Sequence, residues 1–522
     1  MNRHLDLVLD LDASTRPEAM RAAAADALGV AAGQITDVRP RKRSIDARHQ
    51  PVVRLRVEVW CDEPAPPEIA PVPAYPDVRG RRPVIIVGCG PAGMFAALRL
   101  VELGLRPVVI ERGKDVQARR HDLAAITRRG EVDPDSNYCF GEGGAGTYSD
   151  GKLYTRATRR GNVNDVLRTL VAHGAPSDIR VDAHPHIGSN RLPQVVAAMR
   201  DSIRAAGGVV VFNARVTALV KDASGRVCGA RTADGEEHVG EAVILATGHS
   251  ARDVFEMLHR DGIAIEAKPF AVGVRVEHPQ PLIDRIQYHL GQQPRHPALP
   301  AASYRLAHTV DGRGVFSFCM CPGGWIVPAA TAPGEVVVNG MSLSSRDSRY
   351  ANSGMVVSVE LEDLTPYAAH GPLAGVAFQA ALEKMAAEAG GGHQRSPAQR
   401  LPDFVTGRES ATLPESSYHP GLTAAPLHAL LPPGIGHRLQ AGFAHFGKTM
   451  RGYMTDEAVV AGVESRTSSP VRIPRDGDTL EHPSAPGLYP CGEGAGYAGG
   501  IVSAAMDGVR VAESLAARVR SA

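Results

Sequence analysis

The chain has little of what nucleic-acid-binding proteins usually have in abundance. Aromatic residues make up 5% of the 522 residues, and 57 Lys and Arg nearly balance 56 Asp and Glu, leaving a formal net charge of +1. Stacking on bases needs aromatic side chains, and attraction to phosphates needs a concentrated positive face. The composition therefore argues against a dedicated nucleic-acid-binding protein. With 43% hydrophobic and 22% charged residues, it is typical of a soluble globular chain.

Long apolar runs are also missing. The uncharged run at residues 83–98 is too short to cross a bilayer, and the run at 314–334 is interrupted by prolines and glycines. The first twelve residues carry acidic side chains where a secretory signal peptide needs an apolar segment. We therefore expect a cytoplasmic protein that has no membrane partner.

Cysteines are few and their spacing is unhelpful for metal binding. The seven cysteines are scattered and include no CxxC pair, so we expect neither a disulfide framework nor a metal site. Cys319 and Cys321 are separated by one residue, which is not the usual spacing of a redox dithiol. Cysteines in such a run are more often small packing residues.

Residues 1–61 predict a small N-terminal domain. Leucines alternate at positions 5–11, Pro17 opens an alanine-rich helix, and two further strands follow at 35–43 and 52–60. This β-α-β-β pattern is typical of a ferredoxin-like unit. A basic run between its last two strands could bind RNA or a protein partner, although a solvated loop is the commoner explanation of such a run.

The remainder of the chain predicts an α/β protein. A proline-rich linker spans residues 62–83. We expect a Rossmann-type domain formed by residues 84–250 and 485–522, with an inserted α+β substrate domain at 251–484. The insert contains an alanine-rich helix at 374–389 and short β-like runs, which are 269–277, 315–320 and 335–339.

The clearest motif begins at Val84, with the sequence VIIVGCGPAGMFAALRLVELGLRPVVIER. A buried strand leads into Gly88, Gly90 and Gly93, which allow a tight turn, the approach of a pyrophosphate and close helix packing, respectively. The helix N-terminus attracts phosphates, and Glu111 can accept hydrogen bonds from a ribose while repelling a 2′-phosphate. The dinucleotide-binding residues predicted here are Gly88, Gly90, Pro91, Ala92, Gly93, Glu111 and Arg112.

A second motif, EAVILATG at residues 241–248, favours FAD over NAD as the dinucleotide. It predicts a buried strand that ends in Ala246, Thr247 and Gly248, preceded by a strand pair at 208–212 and 216–220. It resembles the second fingerprint of glutathione-reductase-type flavoproteins. In that group, backbone atoms at the position of Val216 meet the adenine.

A third motif lies near the C-terminus, at residues 487–508. It places a strand, Gly492, Glu493, a glycine-rich loop and a helix in order. In flavoproteins of this type the acid holds the ribityl or pyrophosphate part of FAD, and it is usually Asp rather than Glu. The following helix start, with Gly499, Gly500 and Ile501, then faces the flavin N1 and C2 carbonyl.

A fourth segment, CFGEGGAGTYSDGKLYT at residues 139–155, is rich in glycine. Five glycines disfavour both helix and strand but suit backbone that lies against a flat ring or a phosphate, with Gly143 and Gly144 as candidates. A dense polar group adjoins them, consisting of Tyr148, Ser149, Asp150 and Lys152.

Together with residues 318–324 and 450–475, these segments resemble a bacterial family described as NAD/FAD-utilising dehydrogenase-like, or FAD-dependent oxidoreductase-like. That family falls within the glutathione-reductase-type flavoprotein superfamily, and the resemblance covers nearly the whole chain. It implies bound FAD, a Rossmann-type FAD domain and an inserted substrate domain at about 251–484. The implied activity is that of a dehydrogenase or oxidase acting on an unidentified small molecule.

Hydride transfer to flavin N5 also needs a side chain that gives or takes a proton. The candidate catalytic residues are Tyr148, Asp150, Lys152, His445, Arg451 and Arg466. The two arginines suit a carboxylate or phosphate on the substrate, whereas a histidine beside phenylalanines, such as His445, is more often a core residue. Other polar residues considered in the insert are Tyr304, His308, Cys319, Cys321, Lys448, Tyr453 and Glu464.

Two alternatives stay open beside the dehydrogenase or oxidase. A flavin monooxygenase is less well supported, because its usual Asp-Gly signature is not evident. An FAD-containing module that binds RNA or protein, as in tRNA modification or redox sensing, is the other. Glycine strings at Gly141 and Gly434 do not follow an apolar strand, so we expect no second Rossmann unit. The electron partner could then be oxygen, a carrier, or NAD(P)H in a shared cleft.

Overall fold

The computed structural model describes residues 2–67, 73–155 and 161–521. Within these residues, three groups of elements form separate sheets and cores: one near the N-terminus, one around a parallel sheet, and one in the middle of the chain. Residues 68–72 of the predicted linker lie outside the described residues.

The N-terminal group is a three-stranded antiparallel sheet with one helix. Its elements are β1 (Asn2–Leu9), α1 (Pro17–Leu28), β2 (Ile35–Asp46) and β3 (Val52–Cys61). The strand order is β1-β3-β2. Pro17 suits the first position of α1, where no N–H is needed, and Gly29 ends the helix at φ 67°. The elements follow one another in the β-α-β-β order expected from the sequence.

The second group begins after the linker and alternates strands with helices. Its elements are β4 (Pro83–Val87), α2 (Pro91–Glu102), β5 (Arg106–Ile110), α3 (Arg119–Arg129), α4 (Val163–Ala172), α5 (Leu192–Ala205), β6 (Val209–Val211), β7 (Val216–Lys221), β8 (Val227–Thr232), β9 (Glu237–Val239) and β10 (Val243–Leu245). This alternation is typical of a parallel sheet with crossover helices.

The third group, in the middle of the chain, is rich in strands. Its elements are α6 (Arg252–Arg260), β11 (Glu266–Ala267), β12 (Phe270–Pro279), α7 (Gln280–Tyr288), β13 (Ala307–Val310), β14 (Arg313–Cys321), β15 (Gly324–Pro328), β16 (Val338–Ser342), β17 (Tyr350–Val359), α8 (Ala374–Gly390), β18 (Ser396–Arg400), α9 (Leu401–Thr406), β19 (Leu422–Ala424), α10 (Leu427–Leu430), α11 (Pro433–Thr449), β20 (Val459–Glu464) and β21 (Val471–Arg472). The main sheet has seven strands in the order β13-β14-β17-β12-β20-β18-β19. Helices α8 and α11 pack on it and share its apolar core.

The end of the chain returns to the second group as β22 (Leu488–Pro490) and α12 (Ile501–Ser521). The resulting parallel sheet has the order β22-β10-β4-β5-β6, so that the last strand of the chain lies beside β10. The carboxyl ends of its strands meet at one edge, which is where such sheets bind ligands. The predicted α/β architecture with a Rossmann-type sheet and a mixed insert is confirmed.

Two local predictions of strands are wrong. Segments 208–212 and 216–220 do not pair with each other, because β6 joins the parallel sheet whereas β7 joins a separate sheet with β8 and β9. Asn213, at φ 56°, turns the chain between them. The strand expected at 335–339 starts only at Val338, because the backbone N–H of Val336 bonds to the carbonyl of Glu383 instead.

Helices α2 and α12 are in direct backbone contact. A Cβ placed at Gly508 of α12 would lie 2.1 Å from the carbonyl oxygen of Ala92 in α2. This approach fixes the helix that follows the glycine turn against the end of the chain. Among the described helices, none is both long and apolar enough to cross a bilayer.

The contact predicts that Gly508→Ala destabilises the fold. The added methyl must separate two packed helices, so we expect the free energy of unfolding to fall by about 1–3 kcal/mol, as measured by urea unfolding. Gly477→Ala is the matched control, because a Cβ at Gly477 meets nothing within 4 Å. Equal stability of the two variants would contradict the contact.

Candidate active site

The glycine turn after β4 combines tight packing with an opening. Gly88 has φ 104°, and a Cβ there would lie 2.7 Å from the carbonyl oxygen of Ala246. A Cβ at Gly93 would lie 2.0 Å from the carbonyl oxygen of Gly88. At Gly90, in contrast, the nearest atom would be the Cα of Gly144 at 3.9 Å. The turn is therefore closed on two sides and open at Gly90, just before α2.

Glu111, at the end of β5, holds the turn to the glycine-rich segment. Its buried carboxylate accepts backbone N–H bonds from Cys89 at 2.8 Å, Gly113 at 3.0 Å and Gly141 at 2.9 Å. A carboxylate has about four acceptor positions. Three are used here, which leaves about one for a ribose hydroxyl in the adjoining cleft.

The glycine-rich segment is held in place by one buried arginine. The Arg119 guanidinium donates to the carbonyl oxygens of Asn137, Tyr138, Glu142 and Gly144 at 2.8–3.0 Å. The segment has no long helix or strand and contains a 3₁₀ turn at Gly144–Gly146. The N–H of Gly143 bonds to the carbonyl of Cys89 at 2.8 Å. The segment consequently lies directly over the glycine turn.

A cleft of about 400 Å³ opens between the turn, this segment and the insert, within the usual range for small-molecule sites. Of the residues predicted to bind the cofactor, those that line it are Gly88, Gly90, Pro91, Ala92, Glu111, Arg112, Gly144, Val216, Ala246, Thr247, Gly248, Glu493, Gly499, Gly500 and Ile501. Gly93, Gly143 and Gly492 are not part of its lining. They lie behind it, where a Cβ would come within 3 Å of neighbouring atoms.

The cleft suits a dinucleotide on two counts. Oγ1 of Thr247 is buried and has no hydrogen-bond partner among the described residues, so a ligand in the cleft could satisfy it. A Cβ at Gly499 or Gly500 would meet nothing within 4 Å, so the start of α12 opens on the cleft as Gly90 and α2 do. Two helix N-termini thus present free N–H groups to one space, an arrangement that favours phosphates.

Two predicted cofactor residues have additional partners. Glu493 faces the cleft with His249 Nδ1 at 3.5 Å. The N–H of Gly492 is instead held by Asp507, at 2.8 Å. Arg112 lies over the Phe140 ring at 4.2 Å and is also bound to two carboxylates, Asp135 and Asp253, at 2.8 and 2.9 Å.

Asp150 and Lys152 line the cleft on the side of the insert. Asp150 is fully buried, pairs with Arg346 at 2.5 Å and accepts a hydrogen bond from Ser342. Lys152 lies 3.3 Å from Asp150, and its side chain is 37% exposed. The charges of Lys152 and Arg346 outweigh burial and hold the pKa of Asp150 well below its usual range. The charge of Asp150 likewise outweighs burial and raises the pKa of Lys152.

Arg466 lines the cleft but is already neutralised, contrary to the prediction that it suits a substrate anion. Its guanidinium binds Glu383 at 2.9 Å, Glu335 at 3.0 Å and Thr331 Oγ1 at 2.5 Å. Arg252 also binds Glu383, at 2.8 Å. Two arginines thus face two glutamates, and no net positive charge remains. Despite burial, the two arginines lower the pKa of Glu383 to about 2.

Three other candidate catalytic residues are not brought into the cleft. Tyr148 is buried, and its hydroxyl donates to the carbonyl of Val116 at 2.7 Å. His445 lies on α11, stacked on His308 with ring centroids 3.7 Å apart. Arg451 is exposed just beyond that helix. Helix α11 packs on the seven-stranded sheet, which keeps both of the latter residues away from the predicted cofactor residues.

Arg275, which was not predicted from the sequence, supports the cleft wall by donating to the carbonyl of Cys319 at 3.3 Å and to Asn339 at 3.4 Å. Arg275 is fully buried and bonds to Glu464 at 2.7 Å and to Asn352 at 2.6 Å. The sequence does contain a signal for this buried charge, because Arg275 and Glu277 lie in the mostly apolar strand FAVGVRVEHP. Charged side chains buried in such a strand need partners of opposite charge or hydrogen-bond partners. Among the described residues, no group of three or more His, Cys, Asp or Glu is placed to hold a metal ion.

Comparisons with known families agree with this geometry. The profile of the family described as "FAD dependent oxidoreductase" matches residues 184–331. The profile described as "FAD-dependent protein, C-terminal domain-like" matches residues 269–467. Residues 1–60 match a domain of unknown function.

Individual relatives extend this result over the chain. A protein of Clostridium beijerinckii, described as uncharacterized, is 41% identical over 496 residues, covering 91% of each chain. The L-aspartate oxidase of Streptomyces coelicolor is 30% identical over 274 residues, covering 44% of this chain and 45% of that protein. A triple mutant of the flavin-dependent brominase Bmp2 is a structural neighbour, 14% identical with a TM-score of 0.36, covering 84% of this chain and 81% of that one.

The fold and the cleft define a flavoprotein with a Rossmann-type FAD domain. The chain belongs to the FAD-dependent oxidoreductase family, and its cofactor is FAD. This confirms the FAD-dependent part of the resemblance noted in the sequence. The finer placement among glutathione-reductase-type proteins stays a prediction.

The opening at Gly90 predicts that Gly90→Val prevents FAD binding. The valine methyls would occupy the space before α2 where a pyrophosphate approaches, so the purified variant should contain no FAD. Because that space is free of protein atoms within 3.9 Å, the unfolding temperature of the FAD-free protein should not change. Normal FAD content in the variant would contradict the assigned role.

The charge cluster predicts different effects for two arginines. Arg466→Met leaves buried carboxylates with one cation fewer, so the free energy of unfolding should fall by about 3–5 kcal/mol. Arg451→Met, at an exposed position, should change it by less than about 0.5 kcal/mol. Urea unfolding of the two variants tests this, and an unaffected Arg466→Met would show that the cluster is misassigned.

Proposed function

We propose that the protein transfers a hydride between a small-molecule substrate and N5 of its flavin. The observation that carries the proposal is the continuity of one cleft. It runs from the glycine turn at Gly90 to an insert wall formed by Phe318, Cys319 and Asn339. A small molecule bound against that wall meets a cofactor held by the turn. When bound, FAD supplies two-electron chemistry, and the protein supplies position and charge.

Lys152 is the residue best placed to act on the substrate. Its raised pKa keeps it protonated near neutral pH, so it serves as a positive charge beside developing negative charge. Asp150 stays ionised and is a poor base, because a carboxylate with a depressed pKa binds protons weakly. We assign Asp150 the role of positioning Lys152, which lies 3.3 Å away.

NAD(P)H is a reasonable electron partner for this site. The cleft is open to solvent beyond the cofactor turn, and the sequence predicts no second Rossmann unit that would hold a nicotinamide nucleotide separately. We therefore propose that NADH or NADPH, if used, enters the same cleft. Glu111 belongs to the FAD turn, so its repulsion of a 2′-phosphate does not choose between the two nucleotides at this second position.

The alternative of an RNA-binding module finds less support. The arginines of the basic N-terminal run are paired with carboxylates, as with Arg41 and Glu58 at 2.7 Å and Arg48 and Asp46 at 2.6 Å. Arg43 reaches across to Asp182 of the FAD domain at 2.7 Å. Such pairs reduce the positive potential that binds phosphates. The N-terminal domain is therefore better explained as packed against the FAD domain.

The proposal predicts that Lys152→Met slows reduction of the flavin. Mixing the FAD-loaded protein anaerobically with NADH, NADPH or a panel of small metabolites and following the flavin absorbance measures the rate. With the active reductant we expect a loss of about 10²–10³-fold, with FAD content unchanged. Lys152→Arg should restore part of the rate by restoring the charge.

Lys448→Met is the matched control, because Lys448 is exposed near the end of α11 and outside the cleft. Its rate should equal that of the wild type. If Lys152→Met were reduced as fast as the control by every active reductant, Lys152 would have no part in the reaction. If no small molecule reduced the wild-type flavin, the proposed hydride transfer would fail.

A further inference from the structure

Cys319 and Cys321 lie at the end of β14, where the strand reaches the cleft. Residues two apart in a strand point to the same side, and the pairing of β14 with β17 shifts between Phe318 and Cys321. Cys319 has φ 44°, a conformation that residues other than glycine rarely adopt. Irregularities of this kind beside a site re-aim side chains. They turn the side chain of Cys319 toward the cleft.

Lys152 is close to both sulfur atoms. Its Nζ is 3.8 Å from Sγ of Cys319 and 3.8 Å from Sγ of Cys321, and the Cys321 thiol donates a hydrogen bond to the backbone carbonyl of Cys319 at 3.3 Å. Cys319 is half-buried and lines the cleft, whereas Cys321 is fully buried behind it. The pair therefore has an outer sulfur that a ligand can reach and an inner sulfur beside it.

The charges around the pair favour a thiolate at the outer position. The charged groups that surround it are Lys152, Arg275, Arg346, Asp150 and Glu464. The neighbouring Cys321 thiol, and then the charges of Lys152 and Arg275, hold the pKa of Cys319 well below its usual value against the effect of burial. The neighbouring Cys319, together with burial, raises the pKa of Cys321. Reactive cysteines occur in such electropositive, partly exposed surroundings.

Three other cysteines, Cys89, Cys491 and Cys228, lack this environment. Cys89 and Cys491 are fully buried, and burial raises the pKa of each thiol. Cys228 lies on β8, bonded weakly to the carbonyl of Val220 at 3.7 Å. It does not line the cleft, which makes it a suitable control.

We propose that Cys319 and Cys321 are a redox-active dithiol in the wall of the FAD cleft, serving a small dithiol or disulfide substrate. In the internal step, the Cys319 thiolate and the Cys321 thiol form one S–S bond and release two electrons and one proton. Bound FAD, held by the turn at Gly90, would supply the oxidising power by accepting both electrons and the proton. An external dithiol then attacks the disulfide at Cys319, leaves as its own disulfide and returns both protein thiols. All of these steps can run in reverse.

The short spacing of the pair fits this use. A disulfide between residues two apart closes a small ring, and strained disulfides are more readily reduced than structural ones. A centre that must open and close with each turnover benefits from such a bond. The exchange of two electrons between the dithiol and the flavin requires only bound FAD, and it does not depend on hydride transfer from a carbon or nicotinamide substrate.

Disulfide mapping tests the pair directly. FAD-loaded protein is oxidised with diamide, denatured and alkylated with iodoacetamide. It is then digested, and the mass of the peptide that contains both cysteines is measured by mass spectrometry. We expect it to have lost two hydrogens and to carry no alkyl group, and we expect dithiothreitol treatment before alkylation to restore two alkyl groups. Full alkylation of Cys319 and Cys321 after diamide would overturn the proposal. Because this experiment uses only the wild-type protein, its result does not depend on whether any variant folds.

Flavin reduction by dithiothreitol tests the electron path. Under anaerobic conditions, wild-type protein and Cys228→Ser should lose their flavin absorbance, whereas Cys319→Ser and Cys321→Ser should not. Equal bleaching in all four proteins, each with full FAD content, would overturn the path. Reduction of the flavin by NADH or a metabolite is measured in parallel. If these compounds do not reduce wild-type protein but dithiothreitol does, the proposed hydride transfer fails and the dithiol path stands, so failure of one proposal is distinguishable from failure of the other.

The pH dependence of alkylation tests the part played by Lys152. The rate at which iodoacetamide modifies Cys319 in folded, FAD-loaded protein should rise through the pKa of that thiol, below the range of an ordinary cysteine. Lys152→Met removes a positive charge that stabilises the thiolate, so the midpoint should move upward by about one pH unit or more. An unchanged midpoint would mean that Lys152 does not activate the pair.

Discussion

The parallel sheet and the cleft depend on close contacts between backbone atoms at glycine residues, which have no side chain to keep the backbones apart. The position of helix α2 requires three glycines. Gly88 lies against Ala246, Gly93 against Gly88 and Gly508 against Ala92, at distances too short for a Cβ atom. These contacts bring β4 and α2, β10, and β22 and α12, which are far apart in the chain, into one parallel sheet and helix pair. They also leave the N-termini of α2 and α12 open to the same cleft, where helix ends favour phosphates.

The insert completes the cleft by placing charge opposite that opening. Asp150 and Lys152 come from the FAD domain, but Arg346, Ser342 and Cys319, which hold or contact them, come from the insert. Neither domain alone contains the arrangement. A protonated lysine, an ionised carboxylate and a low-pKa thiol then share one wall, and the charge of Lys152 lowers the pKa of both Asp150 and Cys319. The proposed substrate site thus lies at the domain interface, as is common for ligand pockets.

Local sequence patterns were sufficient to predict the parts of the site that are local in the chain. The glycine turn, the strand ending at Thr247 and the glycine-rich start of α12 each carry their geometry within a few residues, and all three line the cleft. The roles of Arg466 and Arg119 could not be predicted in this way. Glu383 and Glu335 lie more than 80 residues from Arg466 in the sequence. The residues around Arg119 in the sequence do not indicate that its side chain binds four backbone carbonyls. Long-range pairing of charges leaves no periodic signal in the sequence.

If the cofactor turn and the insert wall face a single bound FAD, a crystal structure of the FAD-loaded protein will show the pyrophosphate at Gly90 and the start of α2. We expect the isoalloxazine ring to lie beside Lys152 and Cys319 in that structure. An isoalloxazine ring that points away from the insert, with Lys152 and Cys319 remote from it, would show that the two faces do not share one FAD.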